Sequence, residues 1–213
     1  MVKVHIIGGP GSGKTTLGQI IAARWHIRHQ DLDWIELPPN SGIDAYVSYA
    51  FDLAGQPDWI TENIGLMWTD PFLYQADYIV LMEISWPVAA WRIILRHLIK
   101  SLRRDNPYPT SLLYSFLKGT RQYYLNQMSA DTAAVARAYL AEHGSHVEPP
   151  DSNVLLTRLE TYKMGGPPGV PPTAEFTRQY LEKYKEKVFV VRNNADRERL
   201  LSLLGKDSRA MLQ

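Results

Sequence analysis

The stretch VKVHIIGGPGSGKTTLGQIIAARW, residues 2–25, decides the fold. Its opening VKVHII (2–7) is short and nearly all apolar, the pattern of a buried strand. From Lys14 to Trp25 the residues Leu17, Ile20, Ile21 and Trp25 recur at helical spacing, which predicts a helix. Between them, Gly8-Gly9-Pro10-Gly11-Ser12-Gly13-Lys14-Thr15 matches G-x-x-x-x-G-K-[ST]. Glycines let the backbone curl until its N–H groups point inward around phosphate oxygens, and the following helix adds the positive end of its dipole. Lys14 brings a mobile charge to the β- and γ-phosphates, and the Thr15 hydroxyl is a Mg²⁺ ligand, with Thr16 completing the phosphate-binding set. The pattern predicts binding of a nucleoside triphosphate with Mg²⁺; what happens to the γ-phosphate is a separate question.

Working outward, a strand–loop–helix start predicts a parallel α/β sheet. A second, weak strand is predicted over 27–32, ending in Asp31-Leu-Asp33, followed by a turn cluster at Leu37–Gly42 and a helix over 43–53. A third strand is predicted over 58–61, ending near Glu62-Asn63. YIVLMEI (78–84) reads as a strand covered on both faces. Pro87 suits the first turn of a helix running to about Leu102. In that helix Trp91, Leu95, Leu98 and Leu102 form an apolar stripe, and Arg92, Arg96, Lys100 and Arg103 a purely basic one.

Residues 105–172 are less regular. Asn106-Pro-Tyr-Pro109 breaks the chain, a helix is predicted over 112–128, and Ser129 caps another over Ala130–His143 that stops at Gly144. Glu148-Pro-Pro-Asp151 is a loop, and 165–172 is a Pro/Gly-rich connector. Thr173 caps a last long helix with Phe176, Tyr180 and Tyr184 on one side. KVFVVR (187–192) is the fifth strand, and Asn194 caps a final helix over 195–204. The expected organisation is one domain over 1–213, with 105–172 as a helical lid or insertion.

The net charge of +1 hides three polarised blocks. Residues 1–29 carry four Lys/Arg and no acid, residues 30–91 ten Asp/Glu and no base, and residues 92–213 nineteen Lys/Arg against twelve acids. There is no cysteine, which excludes disulfides and thiolate metal sites. No run reaches the ~20 apolar residues that span a bilayer, and no export signal is readable, so a cytoplasmic protein is expected.

Ligands of a parallel sheet bind beyond the carboxyl ends of its strands, where Asp31, Asp33 and Glu62 fall. Asp33 is assigned as the acid that orients an acceptor or takes its proton, and Glu62 as the Mg²⁺-side acid. On sequence alone these two assignments can be exchanged, and Asp31 competes with Asp33. Arg92 and Arg96 supply positive charge for a transferring phosphate. Arg103, Arg104 and Arg121 are weaker candidates for a closing lid.

At this point the chain resembles the adenylate-kinase-like small-molecule kinases among P-loop proteins, and within them the bacterial topology-modulation (FlaR-like) proteins. The residues that carry the resemblance are GGPGSGKT, DLDW (31–34), WITEN (59–63), ADYIVLMEISWP (76–87), Arg92 with Arg96, and KVFVVRNNAD (187–196). They cover about two-thirds of the chain, and only the phosphate loop is specific by itself. The resemblance implies a five-stranded parallel sheet with helices on both faces, and a lid after the arginine helix. It also implies adenine packing near Arg192 and Asn194, and phosphate contacts from Arg92 and Arg96. Two features depart from it: Glu62-Asn63 stands where such kinases often carry Asp-Gly, and no Lys or Arg lies between 30 and 91 to grip an acceptor's phosphate.

The base-free block therefore predicts a neutral or cationic hydroxyl compound as acceptor: a nucleoside, a sugar or an aminoglycoside-like molecule. Trp34 and Trp68 are candidate stacking surfaces and Trp59 a core residue. The expected activity is transfer of the γ-phosphate of Mg·ATP to that acceptor. An alternative is a nucleotide-dependent regulatory protein with slow hydrolysis, using 105–172 for a partner. A nucleic-acid-associated role ranks third, since no nucleic-acid motif is readable. Neither nucleic acid nor a membrane is an expected partner; a small-molecule acceptor is.

Overall fold

The computed structural model describes residues 2–35, 37–38, 41–104, 106, 109–164 and 169–210, the last five as backbone only. Parts of the predicted turn cluster at 37–42, of the break at 106–109 and of the connector at 165–172 lie outside the described residues, as does the end of the tail.

Five parallel strands form one sheet: β1 (Lys3–Gly8), β2 (His29–Asp31), β3 (Trp59–Asn63), β4 (Tyr78–Met82) and β5 (Val188–Val191), in the order β2-β3-β1-β4-β5. Alternation along β1 sends Val4 and Ile6 to one face and His5 and Ile7 to the other. The first face is covered by helix α1 (Lys14–Trp25) through Leu17 and Ile21 and by α9 (Asn194–Ala210) through Leu200, Leu201 and Leu204. The second is covered by α2 (Ile43–Ala54), α3 (Asp70–Gln75) and α8 (Ala174–Leu181), with Trp59, Phe72, Phe176 and Tyr180 at its centre. A parallel sheet buried on both faces is what the near-continuous apolar runs of β1 and β4 require.

Helix α4 (Trp86–Leu102) follows β4 with Pro87 in its first turn, and α5 (Thr110–Tyr124) packs on it. Beyond these, α6 (Ala130–His143) and α7 (Ser152–Thr161) are not peripheral: Tyr139, Leu155 and Leu159 join the core beneath α2 and α8, and the Tyr139 ring stacks on Tyr180 at 5.6 Å. Their N-termini are capped as side-chain chemistry dictates, Ser129 Oγ accepting from Thr132 N and Asp151 Oδ1 from Asn153 N and Val154 N.

The structure corrects several expected boundaries. Helices α3 and α7 were not predicted; both are short, and Pro71 in the first turn of α3 is the same start signal that Pro87 gives for α4. Thr173 does cap α8 by accepting from Phe176 N, but the long helix stops at Leu181 and tightens into a 3-10 turn over Glu182–Tyr184. Asn193, one residue before the predicted Asn194, accepts from Asp196 N at the start of α9, and that helix runs past Gly205 to Ala210. Trp68 is a core residue packed beside Tyr46 and against Gly65 just past the end of β3, and its burial leaves no open ring face for a ligand to stack on. In α4 the buried face is Ala89, Ile93 and His97, while Trp91, Leu95, Leu98 and Leu102 face solvent.

Candidate functional site

The loop between β1 and α1 has the conformation its glycines permit. Gly11 sits at φ 76° and Gly13 at φ 100°, the left-handed region where a side chain is strained. At Gly11 a Cβ would also meet the Ala89 carbonyl at 2.9 Å, so α4 packs directly on the loop. From α4, Arg92 Nη1 donates to the carbonyls of Ser12 (2.9 Å) and Gly11 (3.4 Å). The Tyr124 hydroxyl, at the end of α5, donates to the Pro10 carbonyl at 3.0 Å. These bonds use the outward carbonyls of residues 10–12 and fix the loop from outside. Ser12 Oγ and the Lys14 side chain are buried against the loop, whereas Thr15 and Thr16 are exposed at the first turn of α1.

Beyond the carboxyl ends of β2 and β3 three acids converge on this loop. Asp31 closes β2 and accepts from Asp33 N at 3.0 Å, capping a 3-10 turn over Leu32–Trp34. That turn points Asp33 at the loop: its Oδ2 lies 3.9 Å from Lys14 Nζ, and its Oδ1 accepts from Ile64 N at 3.1 Å. Crowding by surrounding atoms raises the Asp33 carboxyl above its ordinary range while Lys14 pulls it back, and a third of its side chain stays open to solvent. Asp31 is pushed up to about 6, first by burial and then by the neighbouring charges of Glu62 and Asp33.

Glu62 is fully buried, on the α1 side of the sheet. Strand pairing sets Asp31 opposite Glu62 and His29 opposite Ile60, so His29, Asp31 and Glu62 share one face. His29 Nε2 comes to 3.3 Å from Glu62 Oε1, and its ring fits because residue 18 is glycine, where a Cβ would lie 2.4 Å from Nε2. Neither Glu62 oxygen accepts a hydrogen bond. A buried carboxylate is seldom left so unless something outside the protein completes it. Among the described residues no cluster of three or more His, Asp or Glu side chains forms a cage for a metal. Mg²⁺ keeps several waters and takes one or two carboxylates plus substrate phosphates, so it needs no such cage. The groups whose chemistry would suit that ion are the exposed Thr15 hydroxyl and the Glu62 oxygens that accept no hydrogen bond.

A cavity of about 1240 Å³ opens beside these acids. Pro10, Trp34 and Ile64 stand at the end nearest Asp33, and its walls come from α4 (Ile93, Arg96, Lys100) and α5 (Phe116, Tyr123), among others. No Asp or Glu is among its described lining residues. The acidic acceptor side expected from the 30–91 block thus reduces to Asp33 at the mouth; Asp44 and Asp52 lie on the outer face of α2.

The candidate residues divide accordingly. The structure brings together Lys14, Asp33, Asp31 and Glu62 at the strand ends, and Arg96 on the cavity wall. Arg92 touches the loop backbone. Arg192, placed in the nucleotide set by resemblance, donates from Nε to Glu83 Oε2 at 2.9 Å, and Arg178 Nε donates to Oε1 of the same carboxylate at 2.9 Å. Asn194 is exposed at the start of α9. Sequence reading missed His29, Tyr124 and Phe116, and it named Lys100 only as part of the basic stripe. For His29 a signal existed, since period-two alternation puts it on the same strand face as Asp31. The others are placed by α4–α5 packing, which no local pattern encodes.

Comparison with protein-family models finds no match, and neither does comparison with curated proteins. Similar solved structures include a gluconokinase from Sinorhizobium meliloti 1021, at 18% identity over 97% of this chain and 97% of that one with a TM-score of 0.37. A shikimate kinase from Acinetobacter baumannii in complex with shikimate shares 14% identity over 75% and 92%, with a TM-score of 0.40. A deoxyadenosine kinase from M. mycoides with bound dATP shares 13% over 96% and 100%, with a TM-score of 0.26. At such identities and TM-scores these overlaps carry no argument about substrate or residue roles. The five-stranded parallel sheet with helices on both faces stands on the chain's own topology, and no described helix is long and apolar enough to cross a membrane.

Proposed function

We propose that the protein is an ATP-dependent phosphotransferase that moves the γ-phosphate of Mg·ATP to a hydroxyl of a small molecule. The observation that carries this reading is the approach of Asp33 to Lys14 Nζ at 3.9 Å, at the mouth of a cavity of about 1240 Å³. A phosphate-loop lysine holds the β- and γ-phosphates. An acid within 4 Å of it, partly open to solvent, supports a role beside an attacking acceptor hydroxyl. Thr15, with Glu62 behind it, would hold Mg²⁺, and that ion would supply positive charge to the phosphate oxygens. Lys14 supports the terminal phosphate, Asp33 orients the hydroxyl and takes its proton as the new O–P bond forms, and the β–γ bridging oxygen leaves with ADP. Arg92 holds the loop in shape, and Arg96 adds positive charge from the cavity wall.

For the acceptor, the cavity narrows the expected class. Arg96 and Lys100 on its wall oppose a polycation of the aminoglycoside kind, and the aromatic faces of Trp34, Phe116 and Tyr123 suit a neutral ring. A nucleoside or a sugar is the acceptor this wall supports. Adenine packing against the Arg192–Asn194 segment belongs to the same proposal, as does the kinship with topology-modulation proteins. ADP release from Mg·ATP, measured with each acceptor class in turn, tests the reading. Stimulation by neutral hydroxyl compounds and not by nucleoside monophosphates is expected; phosphorylation of monophosphates alone overturns it.

A further inference from the structure

Helix α4 has two faces of opposite meaning. Ala89, Ile93 and His97 pack inward. Turned some half a revolution away, Val88, Trp91, Leu95, Leu98 and Leu102 form a ridge at the 3–4 spacing of a helical stripe. Trp91 is 64% exposed, Leu98 53% and Leu102 84%. Five large apolar side chains over about four turns of one helix are not the scattered exposure of an ordinary surface. Leu112, Tyr114 and Phe116 on the adjoining α5 are exposed as well.

The charge around this ridge is basic, with Asp105 the single acid between Ile84 and Ala130 in sequence. From Ile84 to Arg104 the chain carries Arg92, Arg96, Lys100, Arg103 and Arg104 and no acid, and from 106 to 130 it carries Lys118 and Arg121 and no acid. Arg92 is held on the phosphate loop, and Arg96 and Lys100 line the cavity. Arg103 and Arg104, at the end of the ridge, are exposed. A second copy of the chain is a poor occupant. Its acidic helix α2 offers no exposed large apolar residue, and ridge-on-ridge packing sets basic flank against basic flank.

We propose that α4 docks on an anionic lipid surface, with Trp91, Leu98 and Leu102 among the headgroups and Arg103 and Arg104 facing lipid phosphates. A helix with Trp and Leu on one side and only basic charge beside it is the kind that lies in the plane of a membrane interface. A convex ridge also meets a fluid surface without needing a matching groove. The expectation of no membrane partner rested on the lack of a spanning run, and an interfacial helix needs none. The proposal is independent of the phosphotransfer reading.

The full-length chain is tested by cosedimentation and tryptophan emission with vesicles of phosphatidylcholine alone and of phosphatidylcholine mixed in equal parts with phosphatidylglycerol. Binding to the anionic vesicles only is expected, with a blue shift of emission and steep weakening as salt rises. Trp91→Gln/Leu98→Gln/Leu102→Gln weakens binding at least about tenfold by removing apolar contact. Arg103→Gln/Arg104→Gln weakens it by about tenfold or more through lost attraction to the surface. A cooperative thermal melt at the unmodified chain's temperature shows that each variant is folded. Absent or charge-indifferent vesicle binding by the unmodified chain overturns the proposal. So does a concentration-dependent dimer, seen by light scattering and abolished by the apolar triple variant while vesicles stay unbound. Capture of an acidic amphipathic peptide in place of vesicles overturns it too, in favour of a protein partner.

Discussion

Lys14 and Asp33 belong to the same few ångströms of space, and the chemistry at residue scale turns on them. Asp33→Asn keeps shape and hydrogen bonding but removes the base, so kcat is expected to fall about 10²–10⁴-fold while nucleotide affinity changes little, read by steady-state kinetics beside ATP titration. Beneath the loop, His5 is fully buried on the α3 side of the sheet, its Nδ1 2.7 Å from Thr61 Oγ1 and its ring stacked on Phe72 at 5.5 Å. Burial drops its pKa from 6.5 to about 3. The folded state therefore resists a proton that the unfolded chain accepts. The stability due to neutral His5 is whole above pH 6.5 and is lost as pH falls toward about 3. Between pH 7 and pH 5 this group alone costs about 2 kcal/mol. Denaturant melts of wild type and His5→Gln at both pH values check it: the variant loses less on acidification. Asp31 runs the other way. Its raised pKa makes its ionisation unfavourable to the fold as pH climbs through about 6.

At the scale of elements, α4 decides most of what lies around the site. One edge touches the loop through Ala89 and Arg92, the next lines the cavity through Ile93, Arg96 and Lys100, and the far side is the exposed ridge. Ile93→Ala is expected to cost about 2–4 kcal/mol, since it opens a cavity against the loop. Trp91→Gln, on the exposed side, stays within about 0.5 kcal/mol. Urea melts of the two variants distinguish this orientation from the reverse, in which the tryptophan would be the costly loss. Sequence pattern found the stripe of α4 and not its direction, because periodicity reports amphipathicity and not which side meets the core. The same limit hid α3 and α7, which are too short for a periodic signal and are held by tertiary packing. Caps at Ser129 and Thr173 were legible because each is one side chain answering one orphan N–H. The parallel sheet followed from the strand–loop–helix start and the apolar runs, and the acids from their place at strand ends, whereas the order of the strands was not read from the sequence. The cavity did not, since its walls join residues far apart in sequence.

For the whole molecule, the three charge blocks resolve into places. The basic start holds the phosphate lysine, and the acidic middle brings Asp31, Asp33 and Glu62 to the strand ends. The basic remainder supplies the cavity wall and the ridge of α4. The proposed nucleotide site links binding to folding through the loop, so Mg·ATP at a hundredfold excess over Kd should add about 2.7 kcal/mol of stability. Lys14→Ala should show little of it in the same melt. The central claim is transfer to an acceptor, and its most direct measurement is ADP release from Mg·ATP by the purified protein across nucleosides, sugars, aminoglycosides and nucleoside monophosphates, with Lys14→Ala as control. The expected result is turnover raised far above the acceptor-free rate by one neutral class and abolished in the variant. Slow, Lys14-dependent hydrolysis that no acceptor stimulates would contradict phosphotransfer and leave a nucleotide-dependent regulatory protein in its place.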